Sequence, residues 1–257
     1  MKRKQTQLWV RWLVLLFFIT ANLIPISAVA AKQQRPSSAK QVIVAFGDSN
    51  TQGTNWKINK YDEKSKWVTK LQQTRTVINS GIGGNTTENG RKRFSIDVLN
   101  KKPKAVIIMF GTNDAVLNAK GQPRVSKARF ESNLKYFTDA LKARKIEVIL
   151  MTTIPVIQGN GQNGYYYSRY DQRLYAKYKG ARQWHNSYNA IVRKVAKEKK
   201  VTLIDNYDIM TRSMKGITDR NLIDSGWIDS SGTHLTPQGA EVIYRFVNNA
   251  LNAKLAK

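Results

Sequence analysis

Short apolar runs rich in β-branched residues recur along the chain, and most of them end in residues typical of turns. Four runs predict strands over 41–46, 105–110, 146–152 and 201–204, and a weaker run predicts a fifth strand over 76–78. Their apolar residues are consecutive rather than alternating with polar ones, which is typical of strands buried on both faces of a parallel sheet. The pattern therefore places these strands at the centre of the molecule.

Between the predicted strands, apolar residues recur instead at spacings of three and four, which predicts amphipathic helices. The stripes consist of Phe130, Leu134, Phe137 and Leu141, then Trp184, Tyr188, Ile191 and Val195, and, after Pro237, of Val242, Ile243, Phe246, Val247, Ala250 and Leu251. Strands that alternate with helices need crossover connections, and these give parallel pairing. The fold class is therefore predicted to be α/β, with three α/β/α layers and a mainly parallel sheet of about five strands.

Sites in such sheets form at the carboxyl ends of the strands, so the turns at those ends are the first candidates for chemistry. The turn after the first strand, 47–53, holds Ser49, whose hydroxyl is a candidate nucleophile. A serine or threonine in such a turn can equally serve only as a helix cap. The loop after the second strand, 79–87, has three glycines in four positions, and its backbone N–H groups can approach a ligand. The same loop can also be a plain connector in which Thr86 caps the next helix.

Two further segments supply polar side chains. Asn113 follows the third strand, where its amide can donate a hydrogen bond into the crevice. The chain holds two histidines, so a histidine base near neutral pH is either His185 or His234. His185 lies on the polar side of its helical stripe, which predicts a solvated surface residue. His234, just before the closing helix, is the candidate base.

Taken together, these segments resemble the four sequence blocks of the SGNH hydrolase superfamily, also called GDSL esterases and lipases. The matching blocks are, in order, 47–53, 79–86, 111–114 and 234–239, and the resemblance spans roughly residues 41–254. It implies a flavodoxin-like SGNH hydrolase fold and an enzyme that hydrolyses carboxylic esters.

By position, the resemblance implies Ser49 as the nucleophile and His234 as the base that takes its proton. The implied oxyanion hole consists of the backbone N–H groups of Ser49 and Gly84 and the side-chain amide of Asn113. Each such donor stabilises the transition state by about 3–4 kcal/mol. Asp48, beside the nucleophile, is expected to have a structural role. The resemblance implies no metal and no organic cofactor.

One position departs from the family pattern. The family usually places an aspartate three residues before the histidine, where this chain has Ser231. The nearest upstream carboxylates are Asp229 and then Asp224. We predict Asp229 as the acid that orients His234, through a loop lengthened by two residues. The alternative is that Ser231 or a backbone carbonyl orients the ring.

Residues 1–30 have the basic start, apolar run and small-residue site, Ala28 to Ala30, of a cleaved signal peptide. An uncleaved membrane anchor is the alternative. Residues 31–40 are predicted to be a flexible leader to a hydrolase domain over 41–254. Either alternative makes the domain secreted or cell-surface. The sequence has no cysteine, which excludes disulfides and lipid attachment through an N-terminal cysteine.

The formal net charge is +26, and +22 without residues 1–30. A charge of this size favours electrostatic association with an anionic cell wall or membrane surface. Runs such as 91–93 and 197–200 are spread along the chain, and solvated surface charge is the simpler explanation for them. No zinc-finger, RNP-like or helix-turn-helix motif accompanies them, so specific nucleic-acid binding is not expected.

The leading hypothesis is a secreted serine esterase that acts through an acyl-serine intermediate, of the lipase, acylhydrolase or lysophospholipase type. An O-acetylesterase acting on cell-wall or other polysaccharide is the first alternative. A non-catalytic, basic wall- or membrane-associated binding protein is the second, because the family's aspartate is missing at position 231. The segment from Tyr165 to Tyr178 is rich in tyrosine and basic residues, and either contacts a sugar or acyl substrate or has no substrate role.

Overall fold

Five parallel strands form one sheet in the computed structural model, which describes residues 41–54, 62–159 and 170–255. The strands are β1 (Val42–Gly47), β2 (Thr76–Gly81), β3 (Ala105–Met109), β4 (Glu147–Met151) and β5 (Thr202–Ile204). Their order is β2-β1-β3-β4-β5, and every neighbouring pair is parallel. The predicted α/β class and parallel five-stranded sheet are confirmed.

Nine α-helices lie within the described residues, together with three short 3-10 turns. The helices are α1 (Ser49–Gln52), α2 (Trp67–Gln72), α3 (Thr87–Asp97), α4 (Lys127–Lys142), α5 (Gln172–Tyr175), α6 (Ala181–Lys199), α7 (Asn206–Thr211), α8 (Asp219–Asp224) and α9 (Pro237–Leu255). Local sequence determines where some of these helices begin. Thr86 and Asn89 form a capping box before α3, and Pro237 is the first residue of α9.

The side chains of the sheet divide between two apolar layers. On β1, Val44 and Phe46 face the layer formed with α3, α4 and α6, whereas Ile43 and Ala45 face the layer formed with α2 and α9. This alternation follows from the two-residue period of a strand. The sheet is therefore covered on both faces, as its apolar runs predict.

The predicted stripes bury most of their members. The four residues of the α4 stripe are at most 1% exposed, and Ile243, Val247 and Leu251 of α9 are fully buried. Phe246 differs, with 40% of its surface exposed. Phe246 lies one position before the buried Val247. One position corresponds to about 100° around the helix, so Phe246 points away from the buried stripe.

The strand order reverses between β1 and β3, because the chain first adds β2 on one side of β1 and then builds the rest of the sheet on the other. Parallel sheets form their binding crevice at such a switch point. Ser49 follows β1, the loop 82–86 follows β2, and Asn113 follows β3. The fold thus brings three of the four sequence blocks to one edge.

The predicted signal peptide and leader, 1–30 and 31–40, lie outside the described residues. Among the helices that the structure describes, none is both long and apolar enough to cross a bilayer.

Candidate active site

The turn after β1 is determined by close packing. A Cβ at Gly47 would collide with the hydroxyl of Thr51 and the carbonyl oxygen of Met109, so only glycine fits. Asp48 is the N-cap of α1, and its Oδ1 accepts a hydrogen bond from Asn50 N at 2.9 Å. Ser49 is therefore the first residue of the helix and not its cap, which leaves its hydroxyl for other partners.

The Ser49 hydroxyl contacts the ring of His234. Its Nε2 lies 2.9 Å from Ser49 Oγ, although the two residues are 185 positions apart in sequence. Asn50 helps to hold them together, because its side-chain amide donates to the carbonyl of Thr233 at 2.9 Å. The indole N–H of Trp67 in turn donates to Asn50 O at 2.8 Å. The structure thus brings the predicted nucleophile and the predicted base into hydrogen-bond contact.

The loop that carries His234 closes on itself. Asp229 N donates to His234 O at 2.8 Å, and Gly232 N donates to Asp229 O at 2.9 Å. Ile157, in the segment after β4, donates its N–H to Gly232 O at 2.9 Å. These backbone bonds anchor the loop to the body of the domain and so define the position of the histidine ring.

Ser231 lies between Asp229 and His234. Its Oγ is 2.7 Å from His234 Nδ1, and it donates a short hydrogen bond to Asp229 Oδ1. The same Oδ1 also accepts Ser231 N at 2.9 Å. Asp229, the predicted acid, and Ser231, its alternative, therefore lie with His234 in one hydrogen-bonded chain. Asp224, the other carboxylate, is exposed and pairs with Arg220 at 2.8 Å.

The loop after β2 packs beside Ser49. Gly83 N donates to Gln52 Oε1 at 2.8 Å, and a Cβ at Gly83 would lie 3.9 Å from Ser49 Cβ. Gly84 has φ +76°, a conformation that favours glycine. Asn113 Nδ2 donates to Asn85 O at 3.0 Å and so ties the β3 end to this loop. The residues predicted for the oxyanion hole therefore belong to three mutually packed segments.

Known proteins resemble this chain in sequence and in fold. Residues 45–242 match the family model described as the GDSL-like lipase/acylhydrolase family. The chain belongs to this family. Lipoprotein YqeF of Bacillus subtilis (strain 168), which is uncharacterized, is 48% identical over 213 residues, covering 80% of this chain and 88% of the relative.

Solved structures show the shared fold. A GDSL-like lipase from Bacteroides thetaiotaomicron is 23% identical, with a TM-score of 0.61, over 83% of this chain and 89% of that one. A catalytic mutant of an acetylxylan esterase from Geobacillus stearothermophilus is 21% identical, with a TM-score of 0.59, over 81% and 93%. The resemblance to SGNH hydrolases is confirmed, and as a GDSL-like acylhydrolase the chain is an ester hydrolase.

Arg93 contacts three segments around this GDSL-like site, which the sequence did not predict. Its guanidinium donates to Gly47 O at 2.9 Å and to Ser80 O at 2.8 Å, and its Nε donates to Asn85 Oδ1 at 3.0 Å. It also lies 4.6 Å from the ring centroid of Phe46. The prediction of solvated surface charge is wrong for this residue, because it joins the ends of β1 and β2. α3 is polar along most of its length and has no apolar stripe, so its sequence carried no signal for an inward-facing arginine.

Two buried carboxyl groups, Asp48 and Asp114, lie beside the site. Burial raises the pKa of Asp48 to about 7 and that of Asp114 to about 6. Asp114 Oδ1 accepts Thr87 N at 2.8 Å and so fixes the start of α3. One oxygen of each carboxyl, Oδ2, is buried without a hydrogen-bond partner among the described residues. Asp48 thus has contacts that fit its expected structural role.

His185 corrects a prediction. It is only 3% exposed rather than solvated, and its Nδ1 lies 2.8 Å from Ala181 O. The rings of Tyr170 and Tyr175 pack against it at 5.1 and 6.2 Å, and both tyrosines are buried. Within the tyrosine-rich segment, these two residues belong to the core rather than to a substrate surface. The part of that segment from 165 to 169 lies outside the described residues.

Proposed function

We propose that this GDSL-like hydrolase cleaves carboxylic esters through an acyl-Ser49 intermediate, with His234 as general base and then general acid. The observation that carries the proposal is the 2.9 Å contact between His234 Nε2 and Ser49 Oγ. A serine hydroxyl is a weak nucleophile until an adjacent base accepts its proton, and an imidazole within hydrogen-bond reach provides that base.

The proposed reaction forms acyl-Ser49 and then hydrolyses it. Ser49 Oγ attacks the ester carbonyl carbon while its proton moves to His234 Nε2, which gives a tetrahedral oxyanion and an imidazolium. The intermediate collapses to acyl-Ser49, and the departing alkoxide oxygen takes the proton from Nε2. Water then attacks the acyl carbon with the same proton transfers, releasing the carboxylic acid and restoring Ser49.

The backbone N–H groups of Ser49 and Gly84 and the amide of Asn113 are the proposed donors to the oxyanion. The contact from Asn113 Nδ2 to Asn85 O supports this role, because an amide carries two N–H donors. One can fix the loop while the other serves the oxyanion. A pre-oriented donor stabilises developing charge without the cost of reorganisation.

The direct test is hydrolysis of p-nitrophenyl acetate by a Ser49→Ala variant. We expect kcat/KM to fall by at least about 10³-fold, because the acyl intermediate cannot form. Ser95→Ala, an exposed serine on α3, is the matched control and should keep the parental rate. A Ser49→Ala variant as active as the parent would refute the proposal.

The described residues leave little enclosed space beside Ser49. A narrow cleft there is lined by Ser49, Asn50, Gly53, Thr54, His234 and Leu235. Such a cleft favours short acyl groups over long ones. Together with the shared fold of an acetylxylan esterase, it supports the alternative of an O-acetylesterase.

A panel of p-nitrophenyl esters from acetyl to palmitoyl, run beside acetylated xylan and a lysophospholipid, tests this preference. We expect kcat/KM to fall with acyl length, with release of acetate from the polysaccharide. A rate that rises toward long chains, or a lysophospholipid turned over faster than any acetyl ester, supports the lipase-type hypothesis instead.

Asp229 also bears on the non-catalytic alternative, which the missing aspartate at 231 motivated. The buried Asp229 carboxyl is connected to His234 through the hydroxyl of Ser231. This supports catalysis, because an acid is linked to the ring although position 231 is a serine.

We propose further that the enzyme is exported, with the signal peptide cleaved near Ala30. The name of the Bacillus subtilis relative, a lipoprotein, supports a location outside the cytoplasm. This sequence holds no cysteine for such an attachment. Mass spectrometry of the protein recovered from culture medium should give an N-terminus close to residue 31, and a full-length, cell-bound chain would favour the anchor.

We place the proposed electrostatic association with an anionic surface at the edge of the sheet opposite Ser49. The connections into β3, β4 and β5 each hold an exposed lysine with positive φ, namely Lys102, Lys145 and Lys200. Glycine is preferred in this conformation, and another residue costs about 1 kcal/mol. Three lysines at equivalent positions support a role for their charge.

Replacing these three lysines by glycine removes charge while relieving the backbone. We expect the triple variant to be at least as stable as the parent and to bind anionic polymer or anionic vesicles more weakly, at low salt above all. Lys179→Gly, at the fourth lysine with positive φ, is the matched control. Unchanged binding by the triple variant would place the association elsewhere.

A further inference from the structure

We infer that Ser231 is a positioning residue that connects Asp229 to His234 and thereby sets the tautomer of the histidine ring. The inference rests on the proposed function, since it concerns the same base. It is carried by three oriented contacts around one hydroxyl. Ser231 is 6% exposed and Asp229 is 3% exposed, so water does not compete freely for these groups.

The direction of each hydrogen bond follows from the donors available. An ionised carboxylate only accepts, so the proton of the Ser231 hydroxyl must point at Asp229 Oδ1. The hydroxyl oxygen then has two lone pairs left. Two nitrogen atoms face it, His234 Nδ1 at 2.7 Å and Thr233 N at 3.3 Å. A third possible donor, the hydroxyl of Thr233, lies 3.3 Å from Ser231 Oγ and 3.5 Å from the ring nitrogen.

The state of the ring follows from these directions. Because the Ser231 oxygen accepts at Nδ1, Nδ1 must carry the N–H. A neutral imidazole with its proton on Nδ1 presents a lone pair at Nε2, and Nε2 faces Ser49 Oγ at 2.9 Å. The carboxylate of Asp229 thus prepares His234 to accept the serine proton, with a hydroxyl between the two.

No proton needs to cross this connection during the reaction. The Ser49 proton moves to Nε2 and later leaves from Nε2, while the Nδ1 proton stays in its bond to Ser231. The negative charge of Asp229 still favours the imidazolium, although from a greater distance than an aspartate in direct contact. The loop between Asp229 and His234 provides the room for the intervening hydroxyl, because its ends are closed by the Asp229 N to His234 O bond.

The kinetic test compares Ser231→Ala, Asp229→Asn and the double variant. Each single change should lower kcat by about 10²-fold with KM within about threefold, because it impairs a group used after substrate binds. The kcat of the double variant should be no more than about threefold below that of the less active single variant, because both changes break the same connection. Ser230→Ala, a half-buried serine in the same loop, is the matched control and should match the parent.

Two outcomes overturn the inference. A Ser231→Ala enzyme with a kcat within about threefold of the parent shows that the hydroxyl is dispensable. Effects that multiply in the double variant show that Asp229 and Ser231 act independently. Failure of the proposed function is a separate result, because it requires activity in Ser49→Ala.

Nitrogen NMR of the ring gives a readout that mere structural damage would not move. The chain has two histidines, and His185 Nδ1 faces a carbonyl oxygen, so it must also carry its proton there and serves as an internal reference. We expect the Nδ1–H form for both rings in the parent, with only His234 shifting toward the Nε2–H form in Ser231→Ala. A His234 ring that keeps the Nδ1–H form in that variant overturns the inference.

A rescue variant completes the set. Asp229→Asn combined with Ser231→Asp moves the carboxylate to the position where the family usually holds it. We expect at least about tenfold higher kcat than in Ser231→Ala, together with recovery of the Nδ1–H form. A combined variant no more active than Ser231→Ala contradicts the idea that the charge of Asp229 acts through this position.

Discussion

The turn that carries Ser49 and the loop that carries His234 are positioned by different physical means. Around Ser49, close packing dominates, because Gly47 has no room for a side chain and Arg93 joins the surrounding strand ends. Around His234, the backbone closes the loop, and a side-chain hydrogen-bond chain orients the ring. The first arrangement leaves little freedom for substitution. The second is closed by backbone hydrogen bonds, which do not depend on which side chain lies at position 231.

The largest expected effect separates the two histidines. His234→Gln should lower kcat by about 10³- to 10⁴-fold with little change in melting temperature, because Gln offers no base to Ser49. His185→Gln should do the reverse, lowering stability while the folded fraction keeps its kcat. The measurements are steady-state kinetics and thermal unfolding of both variants, and a His234→Gln enzyme within tenfold of the parent would contradict the assignment.

The next effect concerns the buried acid of the Ser49 turn. Asp48 has a folded pKa of about 7 against an ordinary value of 3.8, so between these pH values the folded state holds a proton that the unfolded state has lost. This group therefore makes the protein less stable as pH rises from about 4 to about 7, by about 4 kcal/mol at most. Asp48→Asn removes that dependence and keeps the oxygen that caps α1.

Urea unfolding at pH 4.5, 6 and 8 measures the difference in free energy of unfolding between Asp48→Asn and the parent. The difference should shift in favour of the variant as pH rises. Asp62→Asn, at an exposed cap that accepts Lys64 N, is the control and should show no such trend. A difference that is constant with pH means that Asp48 is ionised throughout.

A smaller effect is expected at Arg93. Lysine has no planar fork and cannot keep the bonds to Gly47 O, Ser80 O and Asn85, so Arg93→Lys should cost about 1–3 kcal/mol of stability. It should also lower kcat/KM several-fold through the loop that holds Gly84. Arg220→Lys, at an exposed arginine paired with Asp224, is the matched control. Equal stability of the two variants would show that Arg93 does not organise the site.

The smallest expected effect is at Asp224, the next carboxylate upstream of Asp229. Asp224→Asn should change the free energy of unfolding by less than about 0.5 kcal/mol and leave kcat unchanged, because its ion pair is exposed. Kinetics beside Asp229→Asn make the comparison, and a marked loss of kcat at Asp224 would contradict the geometry of the His234 loop.

The sequence predicted the strands and the strand ends that form the site, because these depend on residue types that recur in a regular pattern. Consecutive β-branched residues predicted the strands, and the three blocks 47–53, 79–86 and 111–114, which contain glycine and asparagine, predicted which strand ends meet. β2 extends to Gly81, beyond the predicted 76–78, because its polar residues pair with β1 through backbone hydrogen bonds. Backbone hydrogen bonds do not require apolar side chains, so the strand continues beyond the point where the apolar run ends.

The errors concern residues whose environment comes from distant parts of the chain. His185 looked solvated because its helix is polar on that side, yet Tyr170 and Tyr175 cover it from a segment without a clear period. Arg93 lay in a run of basic residues, and only the meeting of β1 and β2 gives it buried carbonyl partners. The sequence did not predict whether Ser231 or Asp229 contacts His234, because these contacts depend on the backbone conformation of one short loop.

Labelling with a fluorophosphonate probe, followed by intact-mass and peptide analysis, tests whether His234 activates Ser49 as a nucleophile. We expect one adduct per molecule, located on Ser49, absent in Ser49→Ala and formed far more slowly in His234→Gln. An unlabelled parent protein, or an adduct on another residue that persists in Ser49→Ala, would contradict it.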